Sequence, residues 1–175
     1  MNIIGFAASS SRKSINKQLV TFAATLLPLA QVEILDLNDY ELPLFSEDRE
    51  KEIGKPALAH NFLEKIGGCD AVIISFAEHN GSYSTAYKNL FDWCSRINPK
   101  VFQGRPMVFL STSPGPGGGA RVLAGALNSA PSFNGQVRSS FSLPRFYDNF
   151  DVENACIRSP EMLSELTGVM NKLND

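Results

Sequence analysis

The chain has 175 residues, of which 43% are hydrophobic and 19% are charged, and its formal net charge is −2. This composition is typical of a soluble globular protein, and a single domain of this length buries about 70% of the surface of its unfolded chain. The charge excludes the strongly basic field of a nucleic-acid-binding domain. We therefore expect one domain over residues 1–175, with no nucleic-acid partner.

Cysteine usage and hydropathy indicate a cellular compartment. Cys69, Cys94 and Cys156 are odd in number and their spacing matches no zinc site, so reduced thiols and no metal are the simplest interpretation. The apolar residues 3–8 are better explained by a buried strand than by a signal peptide, and no apolar run reaches membrane-spanning length. These features predict a cytoplasmic protein that does not interact with membranes.

The first strand and the turn after it have the strongest pattern. Residues 2–8 form a short apolar run, and residues 9–16 form a hydroxyl-rich turn that opens into an amphipathic helix. The first turn of a helix presents unpaired N–H groups and the positive end of the helix dipole. Arg12, Lys13 and Lys17 are the only charged side chains before residue 33. The pattern predicts a phosphate site, although Ser14 could equally be no more than a helix N-cap.

This turn matches neither of the common nucleotide motifs. It lacks the Gly-x-x-x-x-Gly-Lys-Ser/Thr pattern of P-loop proteins and the Gly-x-Gly-x-x-Gly pattern of Rossmann dinucleotide sites. A single phosphate group is therefore the expected ligand.

Strands and helices alternate along the rest of the chain. Residues 31–37 predict a second strand, and the acidic residues 38–56 predict a long surface loop, whose apolar residues 42–45 should pack on the body or on a partner subunit. A second helix follows and ends at Gly67-Gly68. Further elements are predicted from periodicity and turn residues. They are strands at 70–76, 106–112 and 135–141, helices at 120–130 and 162–173, and a helix after residue 83 with Tyr87, Leu90, Phe91 and Cys94 on its inner face.

Alternating β and α units predict an α/β fold of the flavodoxin-like type, a doubly wound five-stranded parallel sheet of order 2-1-3-4-5 with helices on both faces. In such sheets ligands bind beyond the carboxyl ends of the strands. Three unusual turns fall on that edge: residues 9–16, 77–83 and 111–119. Their convergence predicts a site for a phosphate joined to a flat ring.

Each of these turns also has a simpler interpretation. Asn80-Gly81 could supply only the positive φ of an ordinary turn, and the glycines of residues 115–119 could form a flexible connector. His79 is more simply a surface residue, and Glu78 has no second carboxylate at a useful spacing. We predict no catalytic acid or base and expect Trp93 in the core.

The residues resemble the NAD(P)H-dependent FMN reductase family of flavodoxin-like proteins, which includes quinone, chromate and azo-dye reductases. The resemblance covers nearly the whole chain and is carried by three segments in the family's order. They are ASSSRKSIN at 8–16, AEHNGS at 77–82 with KN at 88–89 and DW at 92–93, and STSPG at 111–115 with GGAR at 118–121.

This resemblance implies a cofactor and a reaction. The cofactor would be FMN, with NADPH or NADH as hydride donor and a quinone, azo compound, metal oxyanion or free flavin as acceptor. Family members are commonly homodimers or homotetramers with the flavin near a subunit interface. The implied phosphate contacts are Ser9, Ser11, Arg12, Ser14, Ile15 and Asn16. The implied contacts to the ring are Ala77, Glu78, His79, Asn80, Gly81, Ser82, Ser111, Ser113, Pro114 and Gly115.

Several positions depart from the family pattern, and two other functions stay open. Ala8 replaces a glycine, Ala77 replaces a proline, and His79 replaces a tyrosine beside the ring. A flavodoxin-type electron carrier is one alternative, although its usual phosphate loop and acidic surface are missing. A flavin-binding protein without reductase turnover is the other. We further expect residues 42–45 and the aromatic segment 141–150 to help form a homodimer interface.

Overall fold

The computed structural model describes residues 1–174 and has a parallel sheet of five strands at its centre. The spatial order is β2-β1-β3-β4-β5, and each neighbouring pair is parallel. This is the predicted flavodoxin-like order. The strands are β1 Asn2–Ala8, β2 Gln31–Leu35, β3 Ala71–Phe76, β4 Pro106–Thr112 and β5 Gln136–Leu143.

Helices cover both faces of this sheet. They are α1 Ile15–Thr25, α2 Glu47–Ile53, α3 Ala57–Gly68, α4 Thr85–Ile97, α5 Ala120–Ser129, α6 Phe146–Asn149 and α7 Pro160–Asn171. Short 3-10 helices span Leu37–Tyr40 and Ala130–Phe133, and a small antiparallel pair joins β6 Phe150–Asp151 to β7 Cys156–Ile157.

The central strands are apolar on both faces because each face is covered. All six residues of β3 are buried. One core cluster lies between the sheet and α3, α4 and α5, and a second lies between the sheet and α1 and α7. Trp93 is fully buried in the first cluster, so the prediction that it belongs to the core is confirmed.

The segment 38–56 differs from the predicted long loop. It contains most of the first 3-10 helix and all of α2, which begins at the N-cap Ser46. The apolar residues 42–45 pack on the body as expected. Trp93 Nε1 donates a hydrogen bond to the Pro43 carbonyl over 2.8 Å, and the Phe45 ring packs edge-on against Trp93 at 5.1 Å between centroids. Leu44 stays 73% exposed.

The aromatic segment 141–150 is largely internal. Phe141, Phe146 and Phe150 are at most 3% exposed and pack in the second core cluster. These three rings are therefore not available to a partner subunit, because the chain buries them against its own sheet. The expectation that the segment 141–150 contributes to a homodimer interface stays a prediction. Tyr147, at 62% exposure, is the ring of this segment that reaches the surface.

Candidate functional site

The turns after β1, β3 and β4 lie at one edge of the sheet. Parallel strands run in the same direction, so their carboxyl ends and the turns after them meet at that edge. The three unusual segments of the sequence are therefore neighbours in space, as predicted.

The turn after β1 is ordered by its own serines. Ser9 Oγ accepts a hydrogen bond from the Ser11 N–H over 3.2 Å, and the Ser14 N–H donates to the Ser11 carbonyl over 3.1 Å. Ser14 is the N-cap of α1, and its Oγ accepts from the Lys17 N–H over 3.2 Å. The N-cap interpretation is therefore confirmed. A hydroxyl that accepts at its oxygen still has a proton to donate, so Ser14 can also bind an anion.

Positive charge is available at this turn from two side chains. Arg12 and Lys13 are exposed, and neither forms an ion pair within residues 1–174. The N–H groups of Ile15 and Asn16 belong to the first turn of α1, where no intrahelical acceptor exists. Together these groups form an electropositive surface that suits a phosphate.

Lys17, the third cation of this region, is already paired. Its Nζ lies 2.6 Å from Asp36 Oδ2, just after β2. The hydrogen bond from Lys17 is the main reason that the pKa of Asp36 falls to about 2, with a further contribution from the Asn38 N–H. This pair ties the start of α1 to the segment after β2.

Asn16 joins the first turn to the two central strands. Its side chain is 2% exposed, and Oδ1 accepts from Ser75 Oγ at 2.8 Å and from the Thr112 N–H at 3.1 Å. Its Nδ2 donates to the Thr112 carbonyl over 3.2 Å. The side chain that the resemblance assigned to the phosphate thus holds the turn against β3 and β4, and its backbone N–H is the group left to face an anion.

The turn after β3 is a tight reversal. His79 and Ser82 exchange two backbone hydrogen bonds of 3.0 and 3.1 Å across Asn80 and Gly81. Asn80 has φ 53° and Gly81 has φ 80°, so the prediction that these residues supply positive φ is confirmed. His79, Asn80 and Ser82 are exposed at the tip of the turn, while Ala77 is buried at its base.

Glu78 connects this turn to the helix after β4. Its Oε2 accepts hydrogen bonds from the N–H groups of Arg121 and Val122, at 3.0 and 3.1 Å. The N-cap of α5 is Gly119, which has no side chain to cap the helix. The carboxylate of Glu78 caps the helix in its place and lies at the positive end of the helix dipole.

Ser84 makes a further connection that the sequence did not reveal. Its Oγ donates to the Ala8 carbonyl over 2.8 Å and accepts from the Tyr87 N–H, which makes Ser84 the N-cap of α4. Ser75 was also missed. A lone serine in the otherwise apolar β3, and a serine directly before a helix, are the signals that could have indicated both residues.

The glycine-rich turn after β4 contains two kinds of glycine. Gly118 and Gly119 have φ of 58° and 77°, and a side chain on either would meet neighbouring atoms. At Gly118 an added Cβ would overlap Ser142 Oγ and lie 3.0 Å from the Pro144 nitrogen. Gly115 and Gly117 have no atom within 4 Å of an added Cβ, so the space above them is open. The first pair is therefore required by close packing and positive φ, and the second pair leaves room for a ligand.

Some polar residues of this turn support it from inside, and others lie at its surface. Ser111 is fully buried and donates to the Gly118 carbonyl over 2.8 Å, so its hydroxyl supports the turn. Ser113 is half-buried and Pro114 is exposed. The Gly115 carbonyl accepts from the Arg145 N–H over 2.9 Å, which adds the segment after β5 to the edge. Arg145 adopts φ 46° and was not predicted from the sequence.

Other classes of site find no support in residues 1–174. No group of histidine, cysteine and carboxylate side chains in that part of the chain could hold a metal ion. Residues 1–174 also contain no helix that is both long enough and apolar enough to span a membrane.

Comparisons with known proteins agree on one family. A family model described as NADPH-dependent FMN reductase matches residues 1–148. An NAD(P)H-dependent FMN reductase of Pseudomonas aeruginosa is 31% identical over 123 residues, which are 70% of this chain and 65% of that protein. A quinone reductase of Escherichia coli K12 is 30% identical over 122 residues, which are 69% of this chain and 64% of that protein. The chain thus spans slightly less than two thirds of the length of these curated relatives.

Solved structures show the same fold. The flavoenzyme FerB of Paracoccus denitrificans, described as an NAD(P)H:(acceptor) oxidoreductase, superposes with a TM-score of 0.77 at 22% identity, over 98% of this chain and 94% of that one. An azoreductase, AzrA, superposes with a TM-score of 0.65 at 16% identity, over 98% and 100% of the two chains. At these identities the likeness establishes the flavodoxin-like fold.

Proposed function

Because the chain belongs to the NADPH-dependent FMN reductase family, we propose that it binds FMN at the carboxyl edge of its sheet and uses NADPH or NADH to reduce a small-molecule acceptor. The proposed acceptor is a quinone, azo compound, metal oxyanion or free flavin. One observation carries the proposal. Buried polar side chains hold three turns, each with groups suited to binding a ligand, together at the carboxyl edge of the sheet.

The residues at this edge fit FMN. The Ser14 hydroxyl, the N–H groups of Ile15 and Asn16, and the cations Arg12 and Lys13 would hold the phosphate, with Ser9 and Ser11 shaping the turn. The turn from Ala77 to Ser82 and the open glycines after β4 would flank the ring. Residues that would line the ring are Glu78, His79, Asn80, Gly81, Ser113, Pro114 and Gly115, with Ala77 and Ser111 supporting them from below.

The bound flavin would supply the redox chemistry, accepting hydride from the nicotinamide and passing electrons to the acceptor. The chain's own contribution is binding and orientation. His79 is exposed at the tip of its turn, and the Glu78 carboxylate already accepts two backbone hydrogen bonds. We assign neither of them an acid–base role, because the flavin would carry the reaction.

The Ser14→Ala variant tests the phosphate site. Loss of the N-cap hydrogen bond costs about 1 kcal/mol of folding stability. Loss of a hydroxyl that donates to a charged phosphate should weaken FMN binding by about 1.5–3 kcal/mol, or roughly ten- to a hundredfold. Riboflavin lacks the phosphate, so its affinity should hardly change. Titration of the variant with both ligands by flavin fluorescence measures the two effects separately.

Ser10→Ala is the matched control, because Ser10 is an exposed serine of the same turn to which we assign no phosphate contact. FMN and riboflavin should bind this variant as they bind the unaltered chain. If Ser14→Ala weakens both ligands equally, or neither, the phosphate lies elsewhere and Ser14 is only a cap. Steady-state NAD(P)H oxidation with a quinone or ferricyanide then distinguishes a reductase from an electron carrier.

We also propose a cytoplasmic homodimer. Cys69 and Cys94 are buried free thiols, and burial raises the pKa of Cys94 to about 12, so neither is poised for oxidation.

Leu44 is an exposed apolar side chain beside a cleft of about 390 Å³ that Ser10 of the phosphate turn also lines. A partner subunit seated on Leu44 would therefore lie next to the flavin site.

A further inference from the structure

A second cavity lies between α4 and α5 on one face of the sheet, and Tyr83, at the end of the turn after β3, contributes to its wall. Its volume is about 240 Å³. Phe76 of β3 and Phe109 of β4 contribute from the sheet, and Ala126 lines it from α5. None of the residues assigned above to FMN lines this cavity.

Six aromatic side chains surround the cavity in a closed circuit of ring contacts. Consecutive rings have centroids 5.0 to 6.2 Å apart, which is the range of favourable aromatic pairs. The circuit is Phe76, Tyr83, Tyr87, Phe91, Phe102, Phe109 and back to Phe76. These rings offer flat, polarisable surfaces to a bound molecule.

Most polar groups of the wall already have partners within the protein. Tyr83, two residues before α4, and Ser129, the last residue of α5, are hydrogen-bonded to each other at 3.1 Å. Lys88 Nζ binds both carboxylate oxygens of Asp92, at 2.7 and 2.8 Å. The cavity therefore offers water few hydrogen-bonding partners, and an apolar cavity of this kind favours an apolar occupant.

Tyr87 is the exception. Its side chain is 4% exposed and lines the cavity, and its hydroxyl has no hydrogen-bond partner within residues 1–174. Desolvation by burial raises the pKa of Tyr87 well above its ordinary value, so the phenol stays neutral and keeps its proton. The hydroxyl is not fully enclosed by the protein, so a ligand in the cavity that accepts its proton would gain a hydrogen bond.

We propose that this cavity binds a small, flat aromatic molecule of one or two fused rings that carries one hydrogen-bond acceptor for the Tyr87 hydroxyl. An engineered cavity of about 150 Å³ with apolar walls binds benzene. A cavity of about 240 Å³ has room for a second fused ring. The Tyr83–Ser129 hydrogen bond spans the two flanking helices and favours a small molecule over an inserted segment of another chain.

Quinoline and naphthalene are the probes. They have nearly the same shape, but only quinoline carries an acceptor. Calorimetric titration should show one binding site per chain for each probe. The protein is placed in the syringe because naphthalene is sparingly soluble. Tyr87→Phe removes a hydroxyl that holds no other group, so the chain should fold normally. Its affinity for quinoline relative to naphthalene should fall two- to tenfold, the effect of one lost neutral hydrogen bond.

Two substitutions on α5 separate cavity binding from surface binding. Ala126→Leu fills part of the cavity, because Ala126 is 2% exposed on its wall, and should weaken both probes at least tenfold. Ala124→Leu adds the same atoms to the exposed side of the helix and should leave both affinities unchanged.

Three results would overturn the proposal: no saturable binding of either probe, equal losses in the two α5 variants, or an unchanged quinoline-to-naphthalene ratio in Tyr87→Phe. The proposal would also be overturned if the probes bind only at dilutions where sedimentation velocity shows a monomer. A second copy of the chain would then cover the cavity at higher concentration. None of these outcomes depends on FMN, so they stand apart from the test of the proposed function.

Discussion

Replacing Glu78 by alanine removes the carboxylate that caps α5 from another turn. Two N–H groups, those of Arg121 and Val122, lose an acceptor at 3.0 and 3.1 Å. A hydrogen bond to a charged group contributes about 1.5–3 kcal/mol, and a lost cap costs about 0.5–2 kcal/mol. Glu78 is half-buried, so water replaces part of the loss. We expect the free energy of unfolding to fall by about 2 kcal/mol.

Glu78→Gln keeps an acceptor oxygen and loses the charge that favours the helix dipole, so about 1 kcal/mol should be lost. Urea denaturation measures both changes, and the melting temperature of Glu78→Ala should fall by about 4–8 °C. Glu165→Ala, an exposed glutamate on α7, is the control and should stay within 0.5 kcal/mol of the unaltered chain. If Glu78→Ala is as stable as this control, the carboxylate does not hold the two turns together.

Two further predictions concern the same edge. Gly118→Ala should destabilise the chain by about 2–4 kcal/mol, because the added Cβ would meet backbone atoms at a positive φ. Gly117→Ala, where an added Cβ has open space, should change stability by under 1 kcal/mol. Equal effects of the two substitutions in urea denaturation would refute the steric argument. Asp36→Asn should lower the free energy of unfolding by about 0.5–1 kcal/mol at pH 7. The effect is small because the Lys17 and Asp36 side chains are 38% and 31% exposed, so solvent screens the ion pair. The pKa of Asp36 is lowered to about 2, so this contribution is present above about pH 4 and lost as the pH falls through 2; a stability difference that stays constant with pH would contradict it.

Hydrophobic pattern was enough to predict the strands of the sheet. Buried central strands are apolar on both faces, the edge strand β2 alternates apolar and polar residues, and the strand order followed from the flavodoxin-like fold class that alternating β and α units indicate. The helix α2 was missed for the complementary reason. None of its residues is buried, so it has no apolar face that a periodic pattern could reveal. Its cap at Ser46 and the ion pair between Glu50 and Arg96, at 2.9 Å, stabilise it instead.

The candidate site was predicted at the level of its turns but not of its side chains. The sequence indicated polar residues at the right edge, yet it could not tell which would bind a ligand and which would bind the protein. Asn16 contacts Thr112, 96 residues away, and Glu78 contacts Arg121, 43 residues away. Both contacts require knowing how neighbouring strands align, which local spacing does not supply.

The distribution of these contacts explains why the edge can be ready for a ligand before one binds. Asn16, Glu78 and Ser84 each join two different turns or strands, and their side chains are buried or half-buried. The groups that remain free for a ligand are backbone N–H groups, hydroxyl protons and the open space above Gly115 and Gly117. Since the turns are ordered by the protein's own hydrogen bonds, binding has little ordering entropy to overcome. It follows that substitutions of the joining residues should lower stability and ligand affinity together, whereas the proton that we propose Ser14 donates to the phosphate is one that the fold does not use.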